Sequence, residues 1–174
     1  MFVGRKNEIK FLSDRYEEKN AQLIVLYGRR RVGKTETLRE FCKDKPHVFY
    51  SCSQTIDKYQ LARFSSQLLK ENIPASLYLA EFRDWEQAFS AIVDLPYGDK
   101  KKLVVIDEFP YMCKENHSIP SILQNLWDSI LKDENVMIVL CGSSMSFIEK
   151  ELLSEKNPLY GRATGIYNGT NGIL

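Results

Sequence analysis

Apolar and polar positions alternate along the chain in two periods, and the switches between them predict the elements. Ile9, Leu12 and Tyr16 recur at helical spacing behind Asn7, a residue suited to cap a helix. Leu23 to Tyr27 is an unbroken apolar run of strand length. Leu38, Phe41 and Cys42 then mark the buried stripe of a helix that must stop by Pro46, and His47 to Ser51 reads as a second strand. Two helical segments follow, one with Leu61, Phe64, Ser65 and Leu68 on a face, the other with Trp85, Ala88, Phe89, Ile92 and Val93. Leu103 to Ile106 and Val136 to Cys141 are continuous runs, as expected of strands buried on both faces. Between them a helix carries Leu123, Leu126, Trp127, Ile130 and Leu131, and a last helix carries Phe147, Ile148 and Leu152. Beyond Thr164 the periodicity fades, and GIYNGTNGIL reads as a frayed, irregular tail. Strands alternating with helices predict an α/β fold with a mainly parallel sheet covered on both faces.

The first strand breaks into GRRRVGKT, residues 28–35, which fits G-x-x-x-x-G-K-[ST] between a strand and a helix. Glycines let such a loop wrap tightly and turn its backbone N–H groups toward phosphate oxygens. The helix opening there adds the positive end of its dipole. Gly28, Arg29, Arg30, Arg31, Val32, Gly33, Lys34, Thr35 and Glu36 are therefore the candidate nucleotide-binding residues. Lys34 brings a point charge to the outer phosphates, and the Thr35 hydroxyl is a Mg²⁺ ligand. The three arginine side chains are read as packing and solvent-facing charges. The plain alternative is a glycine-rich turn that happens to precede a helix.

Composition narrows the field by exclusion. The 174 residues suffice for one α/β domain, with 44% hydrophobic and 27% charged residues. Lys and Arg total 24 against 23 acidic residues, so net charge gives no case for a nucleic-acid or membrane surface. Lys100, Lys101 and Lys102 read as a solvated strand entrance, with a basic contact site as the sharper alternative. The four cysteines form no C-x-x-C pair and read as reduced thiols, and the two histidines are isolated, which argues against a zinc site. Neither a transmembrane-length apolar run nor a signal peptide is present, and the expected location is cytoplasmic.

Ligands of doubly wound sheets gather at the carboxyl ends of the strands. That rule unites the phosphate loop with Asp107-Glu108 and with Gly142-Ser143-Ser144, each of which follows an apolar strand. Asp107 suits the metal, and Glu108 beside it suits the activation of an attacking water. One of Ser143 and Ser144 can donate to a terminal phosphate or its water while the other caps the next helix, and spacing does not assign which. Arg162 is either a cationic finger toward a phosphate or a loop arginine. An N-K-x-D element that would read guanine is absent, which favours ATP over GTP. The strand and helices between the phosphate loop and the acidic strand predict a sheet with an additional strand between those two.

Taken together, FVGRKNE, LYGRRRVGKT, LVVIDEFPYM, the GSS segment and PLYGR resemble the archaeal-type ATPase family, P-loop NTPases related to AAA+ and STAND ATPases. The resemblance runs from Phe2 to about Thr164. It implies a three-layer P-loop NTPase core over residues 1–164, with Phe2-Val3-Gly4-Arg5 near the adenine and Val3 and Gly4 contributing to its pocket. Asp107 and Glu108 would be the Walker B pair, and the GSS segment would be sensor 1. Such proteins continue past PLYGR into a further sheet strand, a helical lid and a winged-helix region. Ending at residue 174, the sequence implies loss of these parts and slow hydrolysis. The expected ligands are ATP and Mg²⁺, with a protein partner or oligomer possible in principle and neither membrane nor nucleic acid expected. A non-enzymatic ATP switch and a nucleic-acid motor fragment are the rival functions.

Overall fold

The computed structural model describes residues 5–29, 33–144, 146–159, 161–169 and 172–173. Helix α1 (Lys6–Tyr16) leads into β1 (Gln22–Tyr27), the phosphate loop and α2 (Lys34–Cys42). After β2 (His47–Ser51) come α3 (Asp57–Leu69), a 3-10 turn at Pro74–Leu77 and α4 (Trp85–Ser90). Strand β3 (Lys102–Asp107) precedes α5 (Phe109–Glu115) and α6 (Ile119–Ser129). Strand β4 (Val136–Gly142) leads to a π-helix at Phe147–Leu152, and β5 (Gly165–Asn168) and β6 (Gly172–Ile173) complete the sheet.

The sheet order is β2-β3-β4-β1-β5-β6, parallel throughout except for the antiparallel β5–β6 pair. The additional strand between the phosphate-loop strand β1 and the acidic strand β3 is present. It is β4, while β2 stands at the sheet edge. Alternation along β1 feeds two cores. Ile24 and Leu26 meet Leu12, Leu38 and Phe41 under α1 and α2. Leu23, Val25 and Tyr27 face a larger core built on α3 to α6, where Phe64 lies 5.5 Å from the rings of Tyr50 and Trp85. This is the three-layer α/β arrangement that the periodicity predicts.

Several local expectations are corrected. Asn7 lies inside α1, whose N-cap is Arg5 with no side-chain cap bond. The pattern from Trp85 to Val93 divides into α4, capped by Asp84 accepting from the Gln87 N–H, and a 3-10 turn at Ala91–Asp94. Ile130 falls beyond the end of α6 and is 36% exposed, so it does not belong to the buried stripe. Lys101 is buried rather than solvated, with Nζ donating to the carbonyls of Glu18 and Asn20 and to Asn135 Oδ1. It pins the α1–β1 connection to the amino edge of the sheet.

The tail is not irregular at its start. Residues 165–168 form β5, which pairs with β1 from Ile24↔Gly165 to Tyr27↔Asn168. Thr164 Oγ1 accepts from the Leu23 N–H at 3.0 Å and donates to Gln22 Oε1 at 2.9 Å, fastening the entry. Gly165 has the appearance of a breaker in the sequence, yet it allows close approach. A Cβ there would stand 2.9 Å from Phe11 Cζ and 3.0 Å from Ile24 Cδ1.

Candidate functional site

Register brings the site together. Tyr27 pairs with Gly142 across β1 and β4, and Ile106 pairs with Leu140 across β4 and β3. Adjacent strands lie ~5 Å apart, so the segments after Tyr27, Gly142 and Asp107 emerge side by side. Between them opens a cavity of about 480 Å³ lined by Gly33, Lys34, Thr35, Glu36, Glu108, Tyr111 and Ser143.

Gly33 has φ +79°, a left-handed conformation that costs glycine little and begins α2. The Arg5 guanidinium lies against it, 3.3 Å from where a Cβ would stand. Arg5 also donates to Glu8 Oε1 at 3.1 Å, tying α1 to the loop. Lys34 is 8% exposed and donates to the carbonyls of Gly28 (3.0 Å) and Arg29 (2.8 Å). Burial pushes its proton affinity down, Arg5 adds to this, and Cys141, Glu108 and Asp107 oppose it.

The Thr35 hydroxyl donates to Asp107 Oδ2 at 2.7 Å. Asp107 Oδ1 accepts from the Glu108 N–H at 3.0 Å, and the buried Cys141 thiol lies near the same carboxylate. Burial, followed by the nearby Asp107 charge, pushes that thiol well above its ordinary value and keeps it protonated. Two oxygen donors, one hydroxyl and one carboxylate, thus meet at the lip of the cavity, a pairing that fits a hard divalent cation such as Mg²⁺.

Glu108 is one of two non-glycine residues with positive φ among the described residues (φ 56°, ψ 41°). The strained turn aims its side chain across to β4. Ser143 Oγ lies 3.0 and 3.2 Å from the two Glu108 carboxylate oxygens. This approach depends on Gly142, because a Cβ there would come within 2.8 Å of Pro110 Cδ. The serine pair is now divided. Ser143 faces Glu108, whereas Ser144 Oγ accepts from the Phe147 N–H at 3.3 Å, at the start of the π-helix.

Arg162 is not among the cavity residues. Its Nε and Nη2 donate to the two oxygens of Asp128 on α6, at 3.2 and 2.8 Å. Val3, Gly4, Arg30, Arg31 and Val32 lie outside the described residues. Two site residues were missed by sequence reasoning. Tyr111 follows Glu108 by three positions, and Cys141 is hidden in an apolar strand with nothing to distinguish it.

A family model of an ATPase domain predominantly from Archaea matches residues 2–170. The chain belongs to this family. This ATPase domain is 35% identical over 166 residues to an uncharacterized protein of Methanocaldococcus jannaschii, covering 95% of the chain and 35% of that protein. A second protein of that organism, described as an uncharacterized ATP-binding protein, is 53% identical over 45 residues, 26% of this chain and 76% of that one. Among solved structures, the domain is similar to a Walker-type ATPase of Pyrococcus abyssi, with TM-score 0.72 and 22% identity over 96% of the chain and 53% of that protein. It is also similar to the Aeropyrum pernix Orc1 protein, solved in complex with DNA, with TM-score 0.65 and 13% identity over 97% of the chain and 45% of that protein. Those two likenesses establish the P-loop ATPase fold. The chain spans about a third of the length of the first relative and about half of the Pyrococcus protein. Among the described residues, no helix is long and apolar enough to cross a membrane.

Proposed function

We propose that this ATPase domain binds ATP with Mg²⁺ and hydrolyses it slowly when acting alone. The observation that carries the reading is the Thr35–Asp107 hydrogen bond of 2.7 Å beside Glu108, on the rim of the cavity that Lys34 also lines. Lys34 and the loop amides, from Gly28 through Arg29, Arg30, Arg31, Val32 and Gly33, would neutralise the phosphates, with Glu36 at the cavity wall. Thr35 and Asp107 would hold the cation, which supplies charge against the outer phosphate oxygens. Glu108 would take a proton from the attacking water. Val3 and Gly4 are assigned to the adenine.

Slow turnover follows from two side chains with other partners in this structure. Glu108 is bound to Ser143, and Arg162 is bound to Asp128 through two hydrogen bonds. Arg162 would serve a phosphate only after leaving Asp128. The Ser143–Glu108 contact also favours a second reading, a switch that binds ATP without consuming it. Comparison of phosphate release from wild type and Glu108→Gln separates the two: a clear loss in the variant supports hydrolysis, and equal rates support the switch. Lys34→Ala tests the site itself, since unchanged ATP affinity by calorimetry would refute it.

A further inference from the structure

We infer that Glu36 is a specificity-determining residue, whose carboxylate turns away nucleotide that arrives without a divalent cation. This inference rests on the ATPase reading of the site. Glu36 is the third residue of α2, and it lines the cavity with Lys34, Thr35, Glu108, Tyr111 and Ser143. It is exposed, and among the described residues no ion pair or hydrogen bond engages it. Glu8 and Glu40, by contrast, are held by Arg5 and Lys43.

An acid in the first turn of a helix ordinarily serves the helix, by facing the positive end of its dipole. At the start of α2 the same place is where phosphates would gather. Among the described residues that line the cavity, Lys34 is the one cation, against the carboxylates of Glu36 and Glu108. Asp107 adds a third carboxylate behind Thr35, and Arg5, beside Gly33, is already paired with Glu8. Incoming phosphates therefore meet a surplus of negative charge. Asp107 is assigned to the cation and Glu108 to the attacking water, whereas Glu36 has neither task and only repels. Coulomb repulsion scales with the charge of the ligand. Free ATP carries roughly four negative charges near neutral pH and its Mg²⁺ complex roughly two, so Glu36 opposes the free form about twice as strongly in free energy. The site is thereby kept clear of nucleotide that lacks the cation its hydrolysis requires.

Glu36→Gln keeps the shape of the side chain and removes its charge. Calorimetry at low salt compares a non-hydrolysable ATP analogue in Mg²⁺ with the same analogue in EDTA, on wild type and variant. Displacement of a fluorescent ADP derivative by the analogue reads the weaker binding. The variant should gain about tenfold for the free analogue and about threefold for its Mg²⁺ complex, because halving the ligand charge halves the logarithm of the gain. Both gains should shrink as salt rises. Glu36→Asp should keep most of the wild-type discrimination. Glu86→Gln, the same change in the first turn of α4 and outside the cavity, should leave both affinities unchanged. Equal gains for the two forms, no gain, or a loss overturns the inference, while Lys34-dependent binding still upholds the site. If Lys34→Ala binds the analogue as wild type does, the site reading falls and the inference with it.

Discussion

Thr35 and Asp107 stand 72 residues apart in the chain and 2.7 Å apart in space. Each keeps the other oriented, and Asp107 also accepts from the Glu108 N–H. A carboxylate held by two donors is already set for a cation. Removal of Mg²⁺ by chelation should therefore abolish phosphate release, and excess Mg²⁺ should restore it with no change in circular dichroism. The thiols make a second prediction at this scale. All four cysteines are free and buried, and burial pushes the Cys42 thiol up to about 12, with Cys52, Cys113 and Cys141 also raised. In the unfolded chain these groups lose protons near pH 8.5, whereas in the folded chain they keep them. Unfolding then releases protons, so raising the pH favours it. The melting temperature should fall steadily between about pH 9 and 11, and Cys42→Ala should flatten part of that slope.

At the level of elements, two glycines have opposite appearances in sequence and structure. Gly142 continues a strand, and its missing Cβ admits Pro110 so that Ser143 can meet Glu108. Gly165 looks like the end of order, and its missing Cβ admits Phe11 so that β5 can lie beneath α1. Gly165→Val should destabilise the domain by about 1–3 kcal/mol through overpacking, measured as a lower urea midpoint with an unchanged slope. Gly142→Ala should cost less stability than Gly165→Val and reduce phosphate release more, because it separates β4 from the turn that carries Glu108. An equal ratio of the two effects in both variants would contradict this.

Across the whole molecule, opposite charges nearly cancel, at a net +1. Lys101, the central residue of the one lysine run, is buried against backbone carbonyls and presents no basic face. The domain by itself should leave both single- and double-stranded DNA unshifted in gels at low salt, where phosphate contacts are strongest. A shift that vanished as salt rose would reveal a basic surface and revive the motor-fragment reading.

Much of the architecture was legible along the chain. Unbroken apolar runs marked β1, β3 and β4, because strands buried on both faces need apolar residues at every position. The spacing G-x-x-x-x-G-K-T marked the phosphate loop, because glycine and lysine act there through local backbone geometry. Other features depended on partners far away in sequence. Strand β5 is too short to show a period and is held by Thr164 and by pairing with β1. Ile130 fits the helical spacing but lies past the point where α6 stops. Which serine meets Glu108 follows from the register of β4 against β3, and the bond between Arg162 and Asp128 follows from where α6 packs. The sequence by itself determined the kind of fold and the class of ligand, since periodicity and loop chemistry are local. Only the tertiary structure decided how Glu108, Ser143, Ser144 and Arg162 are partnered, since hydrogen bonds between distant segments exist only once the sheet has set its order and register.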